Sequence, residues 1–253
     1  MKISMDATTL RDALKAVSGL VDEVKITIKT DGLGITAMDK SNIAMVILNL
    51  PKTSALEWET EATGEMDEIL VMELTGLLSV LKRTDKTDVV TLTSDGGRLD
   101  ITLTGGRRYK IPLLDSTETP EQKLPKLEHK FEVVMTATKL ADAIEDCAIT
   151  NSDSIEFIGT KTSFVFRSEG DTKLSIAEVT MPGTAVKIET NEEKIRCKYS
   201  IEYLNKMMPA GFLKTGTNVN VKLKTGNDYP LMLEYHAERF DVSFLLAPRV
   251  SND

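Results

Sequence analysis

Histidine and cysteine are almost missing from this chain, at two residues each in 253. His129 and His236 lie far apart with no ligand-like spacing, and Cys147 and Cys197 are too few to frame a chain of this length with disulfides. That argues against a zinc centre or a histidine-based triad, and no metal or cofactor is expected. Long apolar runs are missing as well. The longest, Ile43–Leu48, falls far short of the roughly 20 residues that a membrane-spanning helix needs. The first residues, Met1–Asp6, lack the apolar stretch of a secretory signal, so a cytoplasmic protein with no membrane partner is expected. Nor is there an excess of positive charge: 31 basic residues stand against 39 acidic ones, a formal charge of −8. A domain that grips nucleic acid by neutralising phosphates is usually basic. Any meeting with DNA must therefore use a local patch or a loose hold.

What is present begins with ordinary globular composition, 41% hydrophobic and 28% charged, which excludes disorder as the main state. The chain also repeats itself at an offset of 130 residues. Met5–Leu14 lies over Met135–Ile144 with six of ten positions identical. Each copy is followed by a strand-like stretch, Val24–Ile28 and Ile155–Ile158, and then by a second helical pattern, Leu74–Arg83 and Ile201–Met208. Each half ends in an apparent hairpin: Val89–Thr93 with Leu99–Leu103, and Val219–Leu223 with Leu231–Tyr235.

Leu10, Ala13, Leu14 and Val17 recur at helical spacing, as do Leu74, Leu77, Leu78 and Leu81. Leu99, Ile101 and Leu103 alternate with polar residues in the antiparallel manner. Glycine-rich turns, such as Gly105-Gly106 and Gly226-Asn-Asp228, punctuate the strands. The pattern predicts an α+β fold of two similar domains, each an antiparallel sheet with two helices on one face. Boundaries are expected at residues 1–114 and 129–253. Between them 115–128 forms an extended connector with two prolines and six charged residues.

Catalytic motifs give little. Gly32-Leu-Gly34-Ile-Thr-Ala37 matches a dinucleotide fingerprint formally, but its glycines open a predicted strand, Leu33–Met38, rather than a helix. Phosphate-loop, zincin, CxxC and nucleophile-elbow motifs do not occur. Acidic residues abound, yet nothing selects a catalytic pair, so a carboxylate hydrolase remains only as a remote alternative. A duplicated acidic scaffold without visible chemistry favours a binding protein over an enzyme.

Three segments carry a resemblance: Leu33–Leu50 with its Ala-Met-Asp-Lys-Ser core, Asp153–Ile158 after a helix over 139–148, and the terminal Phe244-Leu-Leu-Ala-Pro-Arg-Val250. Together, in this order and along essentially the whole chain, they resemble the DNA sliding clamp of archaea and eukaryotes, the proliferating cell nuclear antigen family. The short ending Ser251–Asp253 is more like archaeal members.

The resemblance implies a DNA clamp fold and a homotrimeric head-to-tail ring whose helices line the hole around duplex DNA without regard to sequence. It implies a processivity factor that tethers DNA polymerase, the clamp loader, ligase and nucleases through short peptides and catalyses nothing. One subunit of a heterotrimeric or checkpoint-type ring is the alternative within the same fold.

By the same resemblance, Arg11, Lys15, Lys82, Arg83, Lys139, Lys206 and Lys214 face DNA. Basic residues late in a helix also suit its dipole, which alone would account for Lys82 and Arg83. Acidic residues on the third helix, Asp142 and Asp146, are expected to meet Arg83 and Arg107 of a neighbouring subunit. Client peptides, with a glutamine, an aliphatic residue and two aromatics, are expected against Met38, Ile43, Met45, Leu124, Pro125, Leu127, Pro230, Leu231, Leu245, Ala247 and Pro248. Leu245 stands where eukaryotic clamps have an aromatic residue.

Overall fold

The computed structural model describes residues 1–63, 66–94, 97–115, 124–170, 175–208 and 219–249. The chain divides into two units. The first comprises Met1–Lys40, Val46–Lys123 and Ala237–Val242, and the second Ser41–Met45, Leu124–His236 and Ser243–Asp253. In chain order the first half runs β1 (Lys2–Asp6), α1 (Ala7–Ser18), β2 (Glu23–Ile28), β3 (Gly32–Met38), β4 (Ala44–Pro51), β5 (Glu57–Glu59), β6 (Glu68–Glu73), α2 (Leu74–Leu81), β7 (Val89–Ser94), β8 (Arg98–Leu103) and β9 (Arg107–Pro112). The second half repeats that order: β10 (Phe131–Thr136), α3 (Ala137–Ala148), β11 (Ser154–Thr160), β12 (Ser163–Glu169), β13 (Ile176–Pro182), β14 (Lys187–Thr190), β15 (Lys194–Ser200), α4 (Ile201–Lys206), β16 (Asn220–Thr225), β17 (Leu231–His236) and β18 (Asp241–Leu246). The repeat seen in ten residues therefore extends to every element.

In the first unit β5-β1-β7-β8-β9 form one antiparallel sheet, and β2 pairs with β3 on one side and β6 on the other. In the second unit β14-β10-β16-β17 and β13-β12-β11-β15 are the corresponding sheets. Sequence alternation predicts a sheet in each half but not this division into two, because period 2 marks a strand's faces and not its neighbours. Gly32 and Gly34 lie inside β3, so the formal dinucleotide motif has no helix to serve.

The helices bury the stripes read from the sequence. Leu10, Ala13, Leu14 and Val17 of α1 and Leu74, Leu77, Leu78 and Leu81 of α2 are all buried, and α1 packs on α2. Each such leucine contributes about 1.5–3 kcal/mol relative to exposure. Within the second unit α3 packs on α4 and on β12 and β13. Its core is aromatic: Phe157 makes edge contacts with Phe164, Phe166 and Tyr199, with ring centroids 5.0–5.6 Å apart. Gly159 is required there, since a Cβ would lie 2.5 Å from the Phe131 ring and 2.9 Å from Ile195. Gly105 and Gly106, at φ +82° and +79°, make the tight link from β8 to β9 that a Cβ would strain. Cys147 and Cys197 are buried, where desolvation pushes both thiols up and keeps them protonated. Among the described residues no helix is long and apolar enough to cross a membrane.

Candidate nucleic-acid and partner interfaces

The basic residues expected to face DNA, Lys214 apart, sit on or just beyond the helices α1 to α4. Lys15 is exposed near the end of α1. Lys82 and Arg83 are exposed but lie past the helix: α2 ends at Leu81, with Lys82 as its C-cap. Lys139 is exposed near the start of α3, and its ammonium donates to the Ala185 carbonyl at 3.1 Å. Two others are partly neutralised within the chain. Arg11 reaches Asp12 (3.4 Å) and the Thr84 carbonyl (3.4 Å). Lys206 pairs with Glu202 (2.6 Å) and stands 4.9 Å from the centre of the Tyr203 ring. Such exposed pairs contribute only about 0–1 kcal/mol and exchange freely. Lys214 lies outside the described residues.

Among the described residues β5, β6 and β9 end sheets in the first unit and β13, β14 and β15 in the second, and β9 and β13 differ in the charge beside them. Basic groups surround β9, which carries Arg107, Arg108 and Lys110, with Arg83 near its start. Beside β13 lies α3, whose exposed residues include Asp142, Glu145 and Asp146. Arg107 is not idle in the single chain. One guanidinium nitrogen donates to Asp88 Oδ2 (2.8 Å) and the other to the Arg83 carbonyl (3.0 Å). The Asp85 N–H, and after it the Arg107 guanidinium, hold the Asp88 carboxyl below its usual range. The other edge of β13's sheet, β15, is covered: Asp228 and Arg249 donate their N–H groups to the Arg196 and Lys198 carbonyls (3.3 and 2.8 Å), and Arg249 is tied to Asp153.

Of the residues expected to receive peptides, Met38 is half-buried at the end of β3 in the first unit, and the others belong to the second. There Ile43, Leu124, Pro125 and Ala247 are exposed, and Leu127, Pro230 and Pro248 are half-buried. Met45, Leu231 and Leu245 are buried, at 3%, 0% and 7% exposure, and serve the core. The structure brings some of the set together: the Ala247 N–H donates to the Ile43 carbonyl at 2.9 Å. It also reveals neighbours that sequence reasoning missed. Glu128 N–H donates to the Tyr229 hydroxyl (3.0 Å), and His129 meets the Tyr229 ring edge-on (5.4 Å, 87°). The turn signal Gly226-Asn-Asp228 and the proline before Leu231 marked a loop there, but not its contacts with the connector.

No group of three or more histidines, cysteines, aspartates or glutamates is placed to hold a metal ion among the described residues. Two units of the same element order, each with antiparallel sheets and two helices among the described residues and with basic residues at or near helix ends, define a scaffold of the DNA clamp class. Two family models match: the N-terminal domain of proliferating cell nuclear antigen over residues 2–110 and its C-terminal domain over residues 123–250. The chain belongs to the proliferating cell nuclear antigen family, whose members are non-catalytic processivity factors.

Among curated relatives, the DNA polymerase sliding clamp of Methanothrix thermoacetophila is 34% identical, with all of both chains covered. That of Thermococcus gammatolerans is 31% identical over 96% of each. Among solved structures, A. fulgidus PCNA bound to the C-terminal region of FEN-1 superposes with a TM-score of 0.87 at 26% identity, covering 100% of this chain and 99% of that one. The clamp of Thermococcus kodakaraensis gives 0.87 at 26%, covering 98% and 99%.

Proposed function

We propose that this chain is the subunit of a homotrimeric sliding clamp that encircles duplex DNA and tethers replication and repair enzymes to it through short peptides. Residues 1–114 and 129–253 act as its two domains and 115–128 as their connector. The observation that carries the reading is a pair of sheet edges, β9 and β13, with charges of opposite sign beside them. An edge is a template for another strand. Two different edges on one chain make a head-to-tail contact, which closes into a ring when the rotation between copies divides a full turn. The basic surroundings of β9 and the acidic face of α3 beside β13 complement each other in sign, with Arg83 and Arg107 opposed to Asp142 and Asp146.

DNA is held by Lys15, Lys82, Arg83 and Lys139, with Arg11, Lys206 and Lys214 as further phosphate contacts. A ring that must slide needs weak, exchangeable contacts, and an acidic chain with scattered lysines supplies them. Clients dock on Ile43, Leu124, Pro125, Leu127, Pro230, Ala247 and Pro248. Support for a peptide-borne partner comes from the related clamp bound to a FEN-1 C-terminal region. Polymerase, clamp loader, ligase and nucleases are the expected clients, and a cytoplasmic, nucleoid-associated location follows from that role.

Light scattering over a dilution series tests the assembly. A homotrimer has three times the 27.9 kDa chain mass. A chain that stays at 27.9 kDa throughout, or a stable dimer, would overturn the self-closing ring.

A further inference from the structure

The loop from Gly226 to Pro230 is held from two sides by one residue. Beneath, the Tyr229 carbonyl accepts from the buried Tyr199 hydroxyl (2.6 Å) and from Cys197 Sγ (3.5 Å). The Tyr199 hydroxyl also bonds Thr225, so no polar atom of this cluster lacks a partner. Asn227 accepts from the Arg196 N–H (2.8 Å), and Asp228 takes a left-handed conformation at φ +46°. The loop is thereby fixed to β15. Above, the Tyr229 side chain faces the last residues of the connector. Its hydroxyl accepts from the Glu128 N–H, and its ring takes the edge of His129. His129 Nε2 lies 3.1 Å from the Pro230 carbonyl. A carbonyl only accepts, so this nitrogen carries the proton.

We infer that Tyr229 is a positioning residue for client binding, a clasp that sets the connector's end, and Leu127 with it, against the Pro230 wall of the docking surface. This rests on the proposed reading of that surface as the client site. Leu127 precedes the clasped Glu128 directly, and Leu231 follows Pro230 as a fully buried anchor. The side chain and the carbonyl of Tyr229 have separate duties. A substitution can therefore release the connector while the loop stays fixed to β15 through its backbone. Fixing a docking element in its bound position raises affinity by reducing what must be ordered on binding.

The test is a calorimetric titration of the trimeric protein with a synthetic peptide carrying a glutamine, an aliphatic residue and two aromatics. Tyr229→Ala should weaken peptide affinity by about tenfold, the scale of a single interface anchor. Tyr229→Phe, which keeps the ring and loses only the hydroxyl acceptor, should restore most of it. With two histidines in the chain, the His129 proton resonance is readily assigned by His129→Gln. Its ring-current shift should vanish in Tyr229→Ala and persist in Tyr229→Phe, while the melting temperature changes by no more than a few degrees. Should Tyr229→Ala fail to fold, His129→Gln serves in its place, since it removes the ring contact with Tyr229 together with the hydrogen bond to the Pro230 carbonyl and should also weaken binding. Unchanged affinity with a lost ring-current shift would overturn the inference, as would a loss of affinity matched by a loss of thermal stability. Failure of the peptide to bind the unaltered protein would instead sink the client-site reading itself.

Discussion

Asp88 shows how a single carboxylate can tie two elements together. It accepts from the Asp85 N–H (3.0 Å) and from Arg107 on β9, closing the loop that follows α2. Both donors favour the charged form, so its folded pKa lies below the unfolded value of about 3.9. The sign follows: the stabilisation is complete above the unfolded pKa and disappears as pH falls through the folded one. Scanning calorimetry from pH 7 to pH 2 should therefore find Asp88→Asn melting below the parent at neutral pH, with the gap closing in acid. A constant gap would assign the loss to geometry rather than charge. At this scale the sequence was partly legible. The leucine stripes announced their burial. So did Leu231, which opens the alternation Leu231, Leu233, Tyr235 that points into the core. The Tyr229 clasp was not legible, because its partners are 101 residues apart and none is apolar enough to signal contact.

At the level of elements, the repeat was the most readable feature, since the same helix-start sequence and the same strand order occur twice. Helix ends were read less well. Lys82 and Arg83 fit a basic last turn, yet α2 stops before them and they lie on the loop that Asp88 and Arg107 brace. Which strands lie at edges was hidden too, because pairing is decided by register across the fold. The edges matter for assembly. Arg107 already serves Asp88, so Arg83 is the freer basic group for a neighbour's α3. Arg83→Glu should weaken each subunit contact by up to about fivefold, the upper range for an exposed pair near 1 kcal/mol. Light scattering at micromolar concentration in 0.1 M salt should show the mass falling toward that of a single chain. Combining it with Asp146→Arg should restore the larger mass, and 1 M salt should blunt both effects by screening. If the double exchange fails to restore what the single one lost, Asp146 is not the opposing charge.

For the whole molecule, a net charge of −8 and a role on DNA fit a hold that is topological more than adhesive. The two kinds of hold respond differently to salt and to loss of lysine. Adhesion releases counterions, so its logarithm falls with the logarithm of salt by about 0.9 for each phosphate contacted. A closed ring on circular DNA has no end to leave by, and on the proposed assembly its escape requires opening at the β9 and β13 edges. Replacing Lys15, Lys82 and Lys139 by glutamine removes three exposed cations per chain, on α1, just past α2 and on α3. Binding to short linear duplexes should then weaken severalfold and its salt dependence flatten, by about 0.9 per contact removed. Retention on closed circular DNA after loading should change little, and should instead follow Arg83→Glu, which loosens the ring. Measuring both lifetimes on the same variants separates the two modes. If the lysine variant leaves circles as fast as it leaves linear duplex, while the parent leaves neither, the grip is adhesive. The open edges would then have to serve some purpose other than closing a ring around DNA.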